Sequence, residues 1–199
     1  MVKSSAALRA VFGICIYFSL GFSAHAGQEI VYVDMGGGCH IGIEDIYEGH
    51  FSSKMPLKAG YWTDTPPHKT DMENFGVPFE CQILDGSTVD QVSMRFGAVP
   101  DKTADEGWSV YYESDEDRDN LHSLTKVYAL KAVNASGFYM VQDDNDGDEA
   151  TRQRYFSYCL FHDHSAVCGS RSVTRLQNPR GSILPEIVNI LKSVRFVDN

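Results

Sequence analysis

Cys39 and His40 stand side by side at the end of the loop Met35-Gly-Gly-Gly-Cys-His40, and a thiol beside an imidazole is the raw material of a cysteine nucleophile. Chain geometry works against that use. Successive side chains on an extended backbone point to opposite sides, so this pair is badly placed to share a proton. His162-Asp163-His164 offers two imidazoles and a carboxylate, ligand types that suit zinc. A third ligand would have to come from elsewhere, and no spacing selects one from His40, His50, His68 and His122. The run Asp143-Asp-Asn-Asp-Gly-Asp-Glu149 invites a calcium reading. Setting Gly147 at the sixth position of an EF-hand loop puts Gln142 first and Gln153 last, where an aspartate and a bidentate glutamate belong, so that match fails. A looser calcium site or a solvated acidic loop is left. Gly36, Gly37 and Gly38 match neither phosphate-binding pattern, since no Gly-Lys-Ser/Thr follows and the dinucleotide spacing is absent. No catalytic set, metal or cofactor is therefore assigned.

Composition narrows the class. The 199-residue chain carries 17 Lys+Arg against 27 Asp+Glu, a formal net charge of -10, which repels a phosphate backbone and excludes a basic nucleic-acid-binding module. An apolar share of 43% with near-average Gly and Pro fits a globular domain and excludes collagen-like, coiled-coil or wholly disordered chains. Lys3 and Arg9 precede the apolar run 10–22, and Ala24-His25-Ala26 has the small-x-small pattern read by signal peptidase. Residues 1–26 are thus expected to be a cleaved signal peptide and 27–199 a single soluble domain, periplasmic or secreted. The apolar run is too short to span a bilayer and no second run of about 18 apolar residues follows, so no membrane insertion is expected after cleavage.

Cleavage leaves Cys39, Cys81, Cys159 and Cys168, an even number in an exported chain and hence two disulfides. Two strand-like runs flank the turn at Asp163-His164, which is the midpoint between Cys159 and Cys168. A hairpin centred there sets those two cysteines opposite each other, within reach of a bridge. Cys39–Cys81 follows by elimination.

The elements that must position these groups read as antiparallel sheet. Glu29–Asp34 looks like an opening strand, and apolar runs over 78–84, 91–99, 107–113, 125–133 and 138–142 are separated by turn residues such as Asp85-Gly86 and Asn134-Ala-Ser-Gly137. The stretch Ser52–Asn74, with Pro56, Gly60, Pro66 and Pro67, reads as a long surface excursion. Residues 115–123 also allow a helix running on through Leu130, which leaves two alternatives for that region. Leu184, Ile187, Val188, Leu191 and Val194 recur at helical spacing after Ser182, a possible cap, and Pro185. The expected architecture is α+β, an antiparallel sheet of hairpins with this C-terminal amphipathic helix packed on one face. The ending Ile190-Leu-Lys-Ser-Val-Arg-Phe196 after a run of hairpins resembles the close of chains with the Mog1/PsbP-like fold. That resemblance covers the last fifteen or so residues and implies a fold only.

The acids are unevenly placed. Residues 101–120 hold eight acids against Lys102 and Arg118, and 143–149 hold five with no base. Such clustering makes a local negative field that steers a basic partner, and Trp108, Tyr111, Tyr112 and Tyr139 lie close by in sequence. Asp115, Glu116, Asp117, Asp119, Asp143, Asp144, Asp146, Asp148, Tyr111 and Tyr112 are accordingly the candidate partner-binding residues. The reading that follows is an exported, non-catalytic binding protein of the inhibitor or immunity type, whose partner is a basic toxin or hydrolase occluded at its active site. The alternatives are a periplasmic hydrolase using a His162/His164 metal site or Cys39, and an accessory subunit of an envelope assembly.

Overall fold

A computed structural model describes residues 29–84 and 87–197. The expected signal peptide, 1–26, and the expected turn at Asp85-Gly86 lie outside the described residues. The chain folds as α+β, with antiparallel sheets and a C-terminal helix. In order, it forms β1 (Ile30–Asp34), β2 (His40–Glu44), β3 (His50–Met55), β4 (Lys58–Thr63) and β5 (Phe75–Ile83). Then come α1 (Val89–Met94), β6 (Ala98–Pro100), β7 (Trp108–Val110), α2 (Asp115–Leu121), β8 (Thr125–Lys131) and β9 (Ser136–Asp143). Last are β10 (Gln153–His162), β11 (Ser165–Arg175), α3 (Leu184–Lys192) and β12 (Arg195–Phe196).

Most strands belong to one seven-stranded sheet of order β3-β4-β5-β11-β10-β9-β8. The long central hairpin β10–β11 turns at Asp163, whose φ of 45° suits a short polar residue in a tight turn. Its two faces serve different cores. Tyr158 and Leu160 point into the larger one, with Phe79 of β5, Ile41 and Ile43 of β2, and Ile187, Ile190 and Leu191 of α3. Cys159 and Cys168 sit in the smaller one, with Val92 of α1, Ala98 of β6 and Phe138 of β9. Burial on both faces is why the run Phe156–Leu160 shows little polar alternation. β1, β2 and β12 form a separate three-stranded sheet in which the last strand pairs with the second, Arg195 with Gly42 and Phe196 with Ile41. Asn134 clasps that last strand, accepting from Phe196 N at 2.8 Å and donating to its carbonyl at 2.9 Å.

Three local expectations are corrected. The apolar run 91–99 begins as helix α1, because Thr88 and Gln91 form a reciprocal capping box that nucleates a turn, and only Ala98–Pro100 is strand. The stretch 52–74 is not one excursion: β3 and β4 form a hairpin with Met55 opposite Lys58, and the loop proper is 64–74. Helix α3 starts without a side-chain cap hydrogen bond, with Ile183 rather than Ser182 at the N-cap position and Pro185 in the first turn. The open alternative over 115–130 resolves as helix followed by strand, with α2 ending at Leu121 and β8 starting at Thr125.

Candidate partner-binding surface

Helix α2 buries none of its residues, so local chemistry holds it together. Ser114 Oγ accepts from Asp117 N at 3.0 Å, and Asp115, Glu116 and Asp117 place three carboxylates in the first turn, where they complement the exposed N–H groups. Arg118 reaches back to Asp115 at 2.9 Å. Asp117 Oδ2 accepts from Ser114 Oγ at 2.8 Å, and Glu116 and Asp119 are exposed. Tyr111 and Tyr112 approach the helix along the chain and share with Asp115 and Arg118 a hollow of about 580 Å³. Burial, ahead of any other influence, raises the Tyr112 phenol above its ordinary pKa.

The second acidic run joins the first through the backbone. Asp143 N donates to Leu124 O at 3.0 Å, directly after α2, and Thr125 pairs with Gln142 across β8 and β9. The sheet therefore delivers both acidic segments to one end of the β8–β9 pair. Within the loop 143–149 the carboxylates also shape the backbone: Asp144 accepts from Asp146 N at 3.1 Å and Asp148 from Ala150 N at 2.9 Å. Arg152 holds the far side through the carbonyls of Asp146 and Gly147, both at 3.3 Å. Gly147, with φ of 70°, supplies the left-handed corner.

Not every acid of the surface is free to meet a partner. Asp143 forms a two-pronged pair with Arg154, at 2.5 Å to Nε and 2.8 Å to Nη2, and that contact raises the guanidinium pKa. Its charge is already answered, which leaves Asp144, Asp146, Asp148 and Glu149 in that run, the last with Arg152 at 3.8 Å. Asp101 is likewise committed to a turn, accepting from Ser109 Oγ at 2.6 Å and from Thr103 Oγ1 and N at 2.6 and 2.8 Å. These donors, Ser109 foremost, lower its carboxyl pKa from 3.8 to about 2. A depressed folded-state pKa means that the stabilisation is present above the unfolded value and lost as pH falls through the folded one. An NMR titration of Asp101 is expected to show a midpoint near 2, and Ser109→Ala to move it upward toward the ordinary value.

The residues weighed for chemistry sit elsewhere. Cys39 is bonded to Cys81 and fully buried, so it has no thiolate to offer and the cysteine-nucleophile alternative is overturned. Cys159 and Cys168 are bonded as the hairpin register demands, lying directly opposite each other. His162 Nδ1 lies 2.7 Å from Asn134 O and its ring stacks on Phe196 at 4.9 Å between centroids. Among the described residues no group of three or more His, Cys, Asp or Glu is arranged to hold a metal ion. No helix among them is long and apolar enough to cross a membrane, and two disulfides suit an oxidising, extracytoplasmic compartment.

Sequence reasoning passed over one cluster, the group of Trp62, Arg171 and Arg175 beside the 64–74 loop. Its one legible signal was a pair of arginines at 171 and 175 in a strand otherwise built of small, uncharged residues. Compared with models of known protein families the chain matches none, and no curated protein gives a significant match.

Proposed function

We propose that the chain is an exported, non-catalytic binding protein of the inhibitor or immunity type, which docks a basic toxin or hydrolase on its acidic end and occludes that enzyme's active site. What supports the reading is the Asp143 N to Leu124 O hydrogen bond, which ties the loop carrying Asp144, Asp146 and Asp148 to the segment directly after α2. Acids from two stretches of chain thereby add into one field rather than two weak ones, beside the aromatic hollow of Tyr111 and Tyr112. In this reading the apolar stripe of α3 packs on one face of the sheet, in keeping with the Mog1/PsbP-like resemblance, and leaves the acidic end clear.

The test uses the partner captured from an envelope extract at low salt. Reversing Asp115, Asp119, Asp146 and Asp148 to lysine is expected to slow association by 10-fold or more, on the order of what electrostatic steering supplies, and to flatten its salt dependence. Asp143 is left in place because Arg154 needs it. Association kinetics unchanged by the reversal would remove the acidic end from the mechanism.

A further inference from the structure

The seven-stranded sheet carries a second charged region, built from β11 and the 64–74 loop. β5 pairs with β11 only from Glu80 to Ile83, and where the two strands part Arg171 fills the gap. Its Nη1 donates to Gly76 O, its Nη2 to Asn74 O at 2.6 Å and its Nε to Ser172 O at 3.2 Å. A guanidinium has five N–H groups, so these three acceptors leave two unused. Its central carbon also lies 5.6 Å from the Trp62 ring centroid. Burial lowers the Arg171 pKa to about 10, which still leaves it a cation at neutral pH. Among the described residues no carboxylate lies within ion-pair distance of it.

Arg171 opens onto a cleft of about 480 Å³, lined also by Trp62, Asp71, Glu73, Gln153 and Arg175. β11 contributes the two cations and the loop contributes the two carboxylates. The loop is held in place: Thr70 Oγ1 donates to Gly181 O at 2.7 Å, Asn178 Nδ2 to Asp71 Oδ2 at 2.8 Å, and His68 Nδ1 lies 3.3 Å from Glu186 Oε1. Yet among the described residues no ion pair joins either arginine to either acid. Cations and anions thus share one cleft from two anchored elements without neutralising each other, which is an arrangement complementary to a ligand carrying both signs.

We propose that this cleft binds a small zwitterion, the α-ammonium and carboxylate of a free amino acid or a dipeptide, with the carboxylate on Arg171 and Arg175, the ammonium toward Asp71 and Glu73, and the side chain against Trp62. The site shares no side chain with the acidic end, although Gln153 O accepts from Asp144 N at 3.0 Å, and it does not depend on the inhibitor reading. Ser170 and Ser172 extend the donor set on the β11 side, and Gln153 offers both an amide donor and an acceptor.

Calorimetric titration of the intact protein with phenylalanine, Gly-Phe, N-acetyl-Gly-Phe and Gly-Phe amide tests this. Saturable binding of phenylalanine or Gly-Phe is expected, with acetylation and amidation each weakening it about tenfold or more. The tighter of the two unblocked ligands identifies the source, free amino acid or peptide. Arg175→Ala and Glu73→Ala, both exposed and outside the hydrogen bonds that brace β5, are each expected to weaken binding by a similar factor, and Arg171→Lys to weaken it while retaining the charge. No saturable binding of either unblocked ligand up to about 10 mM would overturn the proposal, as would equal binding of the blocked forms or full affinity in both exposed variants.

Discussion

Replacing Cys39 and Cys81 by alanine is expected to cost about 4 kcal/mol of folding stability, against about 2.5 kcal/mol for the Cys159 and Cys168 pair. The two bridges close loops of very different length, with sequence separations of 42 and 9 residues. A cross-link restricts the unfolded chain more when the loop it closes is longer, and that difference sets the expected order. The Cys39–Cys81 bridge also ties the residue that precedes β2 to β5, so it joins the small sheet to the large one, whereas Cys159–Cys168 spans a hairpin already fixed by its ladder. Equilibrium denaturation of both double variants, with midpoints and slopes compared, measures the two costs. The reverse order would mean that packing around Cys159 and Cys168, both wholly buried beside Phe138, outweighs chain entropy.

Gly137→Ala is expected to lose about 3 kcal/mol, among the larger single-substitution costs for a residue that carries no side chain of its own. A Cβ there would sit 2.0 Å from Cys159 O and 2.9 Å from its carbonyl carbon, atoms of the neighbouring strand that cannot turn away. Relief requires β9 and β10 to separate at a position where Gly137 pairs with Leu160. Gly147→Ala supplies the contrast, since a Cβ there meets nothing within 4 Å and only the φ of 70° opposes it. Its cost is expected near 1 kcal/mol, and denaturant midpoints of the two variants separate steric crowding from backbone strain. Equal losses would mean that the sheet yields locally around residue 137.

The hairpins were legible because their signals are local. Asp163-His164 and Asn134–Gly137 each combine turn residues with apolar flanks, and the first of these also sets Cys159 opposite Cys168. The capping box at Thr88 and Gln91 was equally local, but the apolar run behind it masked a helix of only six residues. β3 and β4 escaped because their outward positions include Gly60 and Trp62, with the indole lying over the glycine, so no alternating pattern shows. The β5–β11 and β2–β12 pairings join segments too far apart for any window of sequence to relate them. The same holds for the acidic end: each run is plain in the sequence, whereas the bond that joins them depends on β8 and β9 pairing in register. The cleft at Arg171 was hidden for a related reason, since it exists only where β5 and β11 part.

The last strand carries a consequence for the order of events in the cell. Because β12 pairs with β2 across nearly the whole chain, and Asn134 grips it from the far hairpin, the small sheet stays incomplete until residues 195–196 have left the ribosome. The hairpins β1–β2, β3–β4 and β10–β11 each close on a turn of their own, whereas the third strand of the small sheet comes only from the end of the chain. A nascent chain short of those residues therefore carries β2 as an open sheet edge, whatever else has already folded.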